Sequence, residues 1–307
     1  MFKSWVSPEP ETTTTSSFRE YVQQLHNKII EPGTGVTHVT EVPDQFDFES
    51  ELLPNMRTSS SYGAGTKPLI YKFTGVSGYS VYIKVQYYLG ASSTSRTSYG
   101  CLISRVGVWN TLEACISEHS PHTYCLTHAP YYRASTTTRY KDLESIIYTN
   151  GDTLAIISSV GYEGLNYKDS WSFSPMYVIV RVLKGGFVRM VNNPHVPSEN
   201  TTSSTPSLNN VDHRMYNIFV EHSGEVDISQ NTTININVSS IKSIVPLTFE
   251  YIKGGMDVYE GLYIYNRTYI TDYGISPINS TNYWMSADKL QHYNLQGDYT
   301  SFAILAE

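Results

Sequence analysis

Apolar and polar residues alternate most strictly over Tyr79–Leu89. Val81, Ile83, Val85 and Tyr87 fall on one side there, and Tyr82, Lys84, Gln86 and Tyr88 on the other. A period of two predicts a half-exposed antiparallel strand. Leu69–Phe73 precedes it as a second strand, and Gly75-Val76-Ser77-Gly78 between them has turn chemistry, so the two predict a hairpin. Further strands are predicted over Cys101–Val108, Thr153–Val160, Met176–Leu183 and Phe187–Val191, the last two joined at Gly185-Gly186 as another hairpin. Later in the chain Met215–Val220, Thr233–Val238, Pro246–Ile252, Val258–Tyr265 and Tyr299–Ala306 read as strands.

A different period marks the start. Phe18, Tyr21, Val22, Leu25, Ile29 and Ile30 recur at helical spacing and form one apolar stripe. Ser17 and Glu20 match a capping box, in which hydroxyl and carboxylate satisfy free amides of the first turn, and Glu31-Pro32-Gly33 supplies a stop. Phe18–Ile30 is therefore expected to be the longest helix. Residues 1–16 show neither period and read as an extended arm. Residues 192–210 hold Pro194, Pro197 and Pro206 among Asn, Ser and Thr, with almost nothing apolar, and read as a linker. The expected fold is thus mainly β, with antiparallel, β-sandwich-like sheets and one N-terminal amphipathic helix. Two β domains are expected, a helix-plus-sheet domain over 17–191 and a C-terminal one over 211–307. The alternative is a single domain in which 192–210 is one long loop.

Composition sharpens this picture. The 307 residues are 40% hydrophobic and only 16% charged, which describes a folded chain poor in charge. Tyrosine numbers 26, against Phe 10 and Trp 4. Its ring packs while its hydroxyl reaches water or a partner, so the excess favours half-buried strands and a large contact surface. A net charge of −7 and 21 scattered basic residues argue against a nucleic-acid partner. No run of ~20 apolar residues predicts membrane insertion. The first ten residues lack the apolar core of a signal peptide, so synthesis in the cytoplasm is expected. The sequons at Asn200, Asn231, Asn237, Asn266 and Asn279 then carry no modification.

Candidate chemistry is sparse. Cys115, His119, His122, Cys125 and His128 are close enough in sequence to offer a tetrahedral zinc set, but two ligand pairs normally flank a longer insert. The reading adopted is a polar loop with small buried thiols, no metal and no cofactor; with Cys101, the thiols are expected free. Asp44, Asp47, Glu49 and Glu51 cluster as a solvated face does, and not as a pair facing across a groove. Gly63-Ala64-Gly65-Thr66-Lys67 lacks the spacing of a phosphate loop and reads as a turn. Nucleophile-elbow, metalloprotease and dinucleotide signatures are absent, so no enzyme is predicted. Aromatic pairs that could stack on sugar are Tyr131-Tyr132, Tyr283-Trp284 and Tyr263 with Tyr265.

One stretch resembles a known group. Lys67–Gly75, then Gly78–Tyr88, then Leu102–Gly107 is similar to a pattern in virion structural proteins of tailed bacteriophages. There a strand ending in Phe-x-Gly meets a strand carrying a lysine among apolar residues and tyrosine, and a third strand ends in Val-Gly. Members carry a helix before the sheet and end in a strand, as Phe18–Ile30 and Phe302–Glu307 do here; the Val108-Trp109-Asn110 that follows Val-Gly departs from their Gly/Asp-rich turn. The resemblance implies a tail, baseplate or fibre-associated component located in the virion, whose partners are other virion proteins and copies of itself. The alternative function is a receptor- or glycan-binding module that holds a host-surface glycan. The third is a polysaccharide-degrading enzyme. Assembly contacts are expected at Phe2, Trp5, Tyr82, Tyr88, Tyr131 and Tyr132.

Overall fold

The computed structural model describes residues 1–6, 15–51, 66–91, 100–117, 124–127, 143–160, 176–182, 188–192, 217–222, 226–232, 244–250, 256–266, 274–285 and 300–306. Among these the protein is mainly β, with every strand pair antiparallel and two helices, α1 (Thr15–Ile29) and α2 (Leu112–Ser117). The predicted helix is there, and Val22, Leu25 and Ile29 of its stripe are buried. It starts at Thr15, so Ser17 lies inside the first turn instead of capping it.

A five-stranded sheet follows α1. Its order is β2 (Val36–His38), β3 (Leu69–Thr74), β4 (Ser80–Ala91), β5 (Gly100–Trp109) and β6 (Tyr124–Thr127). The predicted hairpin is β3–β4, with Thr74 facing Ser80 across the turn and Gly78 at φ 80. Positive φ is the conformation that glycine adopts without penalty. Val81, Ile83, Val85 and Tyr87 point to one core, as the alternation requires. The opposite side is less exposed than expected. Trp109, Ile70, Val39 and Cys115 are buried together with Tyr82 packed against them, and Lys84, only 8% exposed, lies 5.1 Å from the Trp109 ring centroid. The reason is α2, whose Cys115 packs onto this side.

The seven-stranded sheet runs β1 (Phe2–Val6), β7 (Leu143–Asn150), β8 (Thr153–Val160), β9 (Met176–Val182), β10 (Val188–Asn192), β11 (Asn217–His222) and β12 (Val226–Thr232). From β7 to β12 each strand pairs with the next in the chain. Residues 2–6 of the supposed arm form a strand, pairing Phe2 with Tyr148 and Val6 with Glu144. And β10 pairs with β11, so the proline-containing 192–210 stretch leads from one strand to its neighbour in the same sheet. Residues 7–14, 193–216 and the strand expected over Thr233–Val238 lie outside the described residues.

Val22, Leu25 and Ile29 of α1 share one core with Tyr71, Val85 and Val106 of the first sheet and with Leu154, Val178 and Val180 of the second. The two sheets are also tied at one end by their turns. Ser77 donates from its backbone N–H (2.9 Å) and its hydroxyl (2.7 Å) to Asp152 Oδ1, and Val76 N–H donates to Gly151 O (3.3 Å). Glycine at position 75 leaves the space there to the Asp152 carboxylate, which a Cβ would displace.

The third sheet has the order β13 (Ile244–Glu250), β14 (Met256–Asn266), β17 (Thr300–Leu305), β16 (Thr281–Met285) and β15 (Gly274–Ile278). Pro246 faces Tyr263 but Leu247 faces Tyr259, so residues 260–262 form a bulge toward β13, while Leu262 keeps its register with Ile304 of β17. Gly261 in that bulge has φ 80, and the Tyr148 hydroxyl of β7 occupies the space of its missing side chain. Tyr148 and Asn150 both donate to Glu260 O at 3.4 Å, and Arg181 Nη1 donates to Val258 O at 3.3 Å.

Candidate interaction surface

The four described residues among those expected to make assembly contacts are on two different sheets. Phe2 is half-buried on β1, and Trp5 is on the same strand. Tyr82 is half-buried on β4, in the small core beneath α2; Tyr88 is also on β4. Tyr131 and Tyr132 lie outside the described residues. The first two are thus on the seven-stranded sheet and the next two on the five-stranded one.

Sheet edges supply more contact surface than these side chains. Among the described residues β1 and β12, β2 and β6, and β13 and β15 each pair on one side only. The outer row of amides and carbonyls on such a strand is a template for another chain. Exposed apolar side chains stand near some of them: Ile275 on β15 is 59% exposed and Val258 on β14 is 51% exposed. β15 and β16 join through Asn279 (φ 51) and Ser280 (φ 67), the double positive φ of a tight two-residue hairpin turn.

The sugar-stacking candidates fare unevenly. Trp284 and Tyr265 are fully buried and serve the core. Tyr263 and Tyr283 are half-buried and pack edge to face, centroids 5.3 Å apart. Burial pushes the Tyr263 hydroxyl above its ordinary range, with Tyr283 and the Glu260 charge adding to this.

Of the Cys/His group read as a polar loop without metal, Cys115 is buried on α2 and Cys125 is on β6, while His119, His122 and His128 lie outside the described residues. Of the acidic group, Asp44, Asp47 and Glu49 are exposed. The Asp47 carboxylate accepts from the Ser50 hydroxyl and from Glu49 N–H, which hold it below the usual range. Asp44 pairs with Lys67 at 3.3 Å. No helix among the described residues is long and apolar enough to cross a membrane.

Sequence reasoning missed a buried histidine–tyrosine cluster under α1. His26 is 7% exposed, its Nδ1 is 3.0 Å from the Tyr71 hydroxyl, and its ring meets His38 (5.0 Å, edge to face) and Phe48 (4.9 Å). His38 Nε2 is 2.9 Å from Gln45 Oε1. Burial first, then the nearby His38, lowers the His26 pKa to about 4. Burial raises both Tyr71 and Tyr87 above the ordinary phenol range. The two tyrosines border a cavity of about 20 Å³ between the sheets, otherwise lined by aliphatic groups such as Ile83 and Leu154. That is room for about one water. The signal was in the sequence: His26 directly follows Leu25 and sits four residues from Val22, inside the apolar stripe. A neutral imidazole between packed rings holds the helix on the sheet and resists protonation. No known family model, curated protein or solved structure matches this chain.

Proposed function

We propose that this chain is a structural component of a tailed-bacteriophage virion, in the tail or baseplate, that works by protein–protein assembly and not by catalysis. What supports the reading most is where the resembling stretch lies. Lys67–Gly75, Gly78–Tyr88 and Leu102–Gly107 fall on β3, β4 and β5, three consecutive strands of one antiparallel meander, with α1 packed on the same core. That is the arrangement the resemblance implies. The helix and the first two sheets form a β-sandwich-like body in this reading, and the third sheet a second β unit docked through Tyr148 and Gly261. Open sheet edges and tyrosine-bearing strands are the docking surfaces, for other virion proteins and for further copies of the chain. The protein is made in the host cytoplasm and resides in the particle.

The test is mass spectrometry of density-purified particles from the source culture. The expected result is this chain at a fixed ratio to the major tail proteins through successive gradients. Its loss into the soluble fraction at every gradient would overturn the assignment. A second reading, a glycan-binding module, rests on Tyr263 and Tyr283, the half-exposed pair. Glycan-array binding abolished by Tyr283→Ala would favour it.

A further inference from the structure

We infer that β1 is an exchangeable strand: in the assembled state the Phe2–Val6 segment of one copy pairs with β7 of a second copy. This deepens the assembly reading above by naming a partner. In the seven-stranded sheet, β7 through β12 form a sequential meander in which each strand pairs with the next in the chain. β1 alone reaches it from a distant part of the sequence, adding five residue pairs to the outer side of β7. The outer side of β7 is therefore the acceptor edge, and Phe2–Val6 is the donor.

The donor's partners are all of a kind that a second copy supplies equally. They are the ladder to Glu144–Tyr148, the backbone pair of Met1 with Thr149, and Lys3 with Glu31 (3.1 Å) and Pro32 O (3.0 Å) at the end of α1. Exchange conserves every one of these, so only the path of residues 7–14 differs between closed and exchanged forms. That link, Ser7-Pro8-Glu9-Pro10-Glu11-Thr12-Thr13-Thr14, contains two prolines, each of which fixes its own φ and biases the residue before it toward an extended form. Eight residues reach up to roughly 25–30 Å when extended, enough to cross to a neighbour. Before assembly, β1 in its own chain covers the β7 edge and so guards it against indiscriminate pairing.

The register defines the test. Ser4 faces Ile146, and Trp5 faces Ser145. Directly opposed antiparallel residues lie within disulfide range. A chain carrying both Ser4→Cys and Ile146→Cys is oxidised first, and it closes on itself when dilute, which establishes the register. Full-length chains carrying Ser4→Cys alone and Ile146→Cys alone are then mixed at assembly concentration and oxidised. The expected result is a dimer-sized band on a non-reducing gel, removed by reductant and missing when either chain is mixed with wild type. Trp5→Cys with Ser145→Cys repeats the experiment one rung along, should the buried Ile146 not tolerate replacement. If the doubly substituted chain closes fully while the mixtures give only monomer, exchange is refuted, and the particle assignment still stands or falls on its own mass spectrometry. If the mixtures cross-link but the chain is missing from particles, exchange holds as self-association and the particle assignment fails.

Discussion

Acid should loosen the contact between α1 and the sheets, and His26 should be the group responsible. The imidazole is 7% exposed and sits among His38, Phe48 and Tyr71, where a charge would be poorly solvated and would face His38. Its pKa is therefore about 4 when folded, against the ordinary 6.5 when unfolded. A lowered basic group means that the unfolded chain takes up the proton first. The stabilisation is complete above the unfolded value, declines as pH falls below about 6.5, and is gone below about 4. A gap of about 2.5 pH units at 1.36 kcal/mol each amounts to about 3 kcal/mol. That is a large part of the stability of an ordinary domain. The assay is urea denaturation followed by far-ultraviolet circular dichroism at pH 7.5, 5.5 and 4, on the wild type and on His26→Gln. Glutamine stays neutral and keeps a polar atom for the Tyr71 hydroxyl, while the carboxylates that titrate in the same range are common to both chains. The wild type should lose about 3 kcal/mol more than the variant between pH 7.5 and 4. Parallel pH profiles for the two proteins would refute the argument.

Three further outcomes follow from geometry. Gly261→Ala should destabilise the protein by at least about 1–2 kcal/mol, from left-handed strain alone, read by calorimetry as a lower Tm. Asp152→Ala removes the acceptor of two Ser77 hydrogen bonds and should cost about 1–2 kcal/mol in denaturant titration; Asp152→Asn should recover part of it. Ser280→Gly relieves a positive φ in the β15–β16 turn and should raise stability by about 0.5–1 kcal/mol, read as a higher Tm.

Which parts of the fold were legible depended on how local their causes are. β4 announced itself because one side is apolar and its partner β3 lies just across a glycine turn, so pattern and pairing are encoded within twenty-odd residues. β7 did not, because Ile146, Ile147 and Tyr148 are all buried and a strand covered on both sides has no alternation to display. β1 was read as an arm since its partner lies far down the chain, beyond the reach of any local signal. After Asn192 the prolines and polar residues carry no local signal that β10 pairs with β11, because composition does not encode which strands become neighbours. The same limit applies to single residues. The burial of Lys84 follows from the cover over Trp109, and that of His26 from the reach of Tyr71, both set by packing between elements.

The β1–β7 pairing also bears on how the chain is made. Met1 and Thr149 are hydrogen-bonded across a separation of 148 residues. At 5–20 residues per second, a ribosome takes roughly 7–30 s to supply the second after the first. Throughout that interval Phe2–Val6 lacks the strand it pairs with. If strands exchange as inferred above, a waiting β1 meets the β7 edge of an earlier-made chain before its own β7 exists. On that inference, slowing elongation between β6 and β7 should raise the yield of the exchanged dimer.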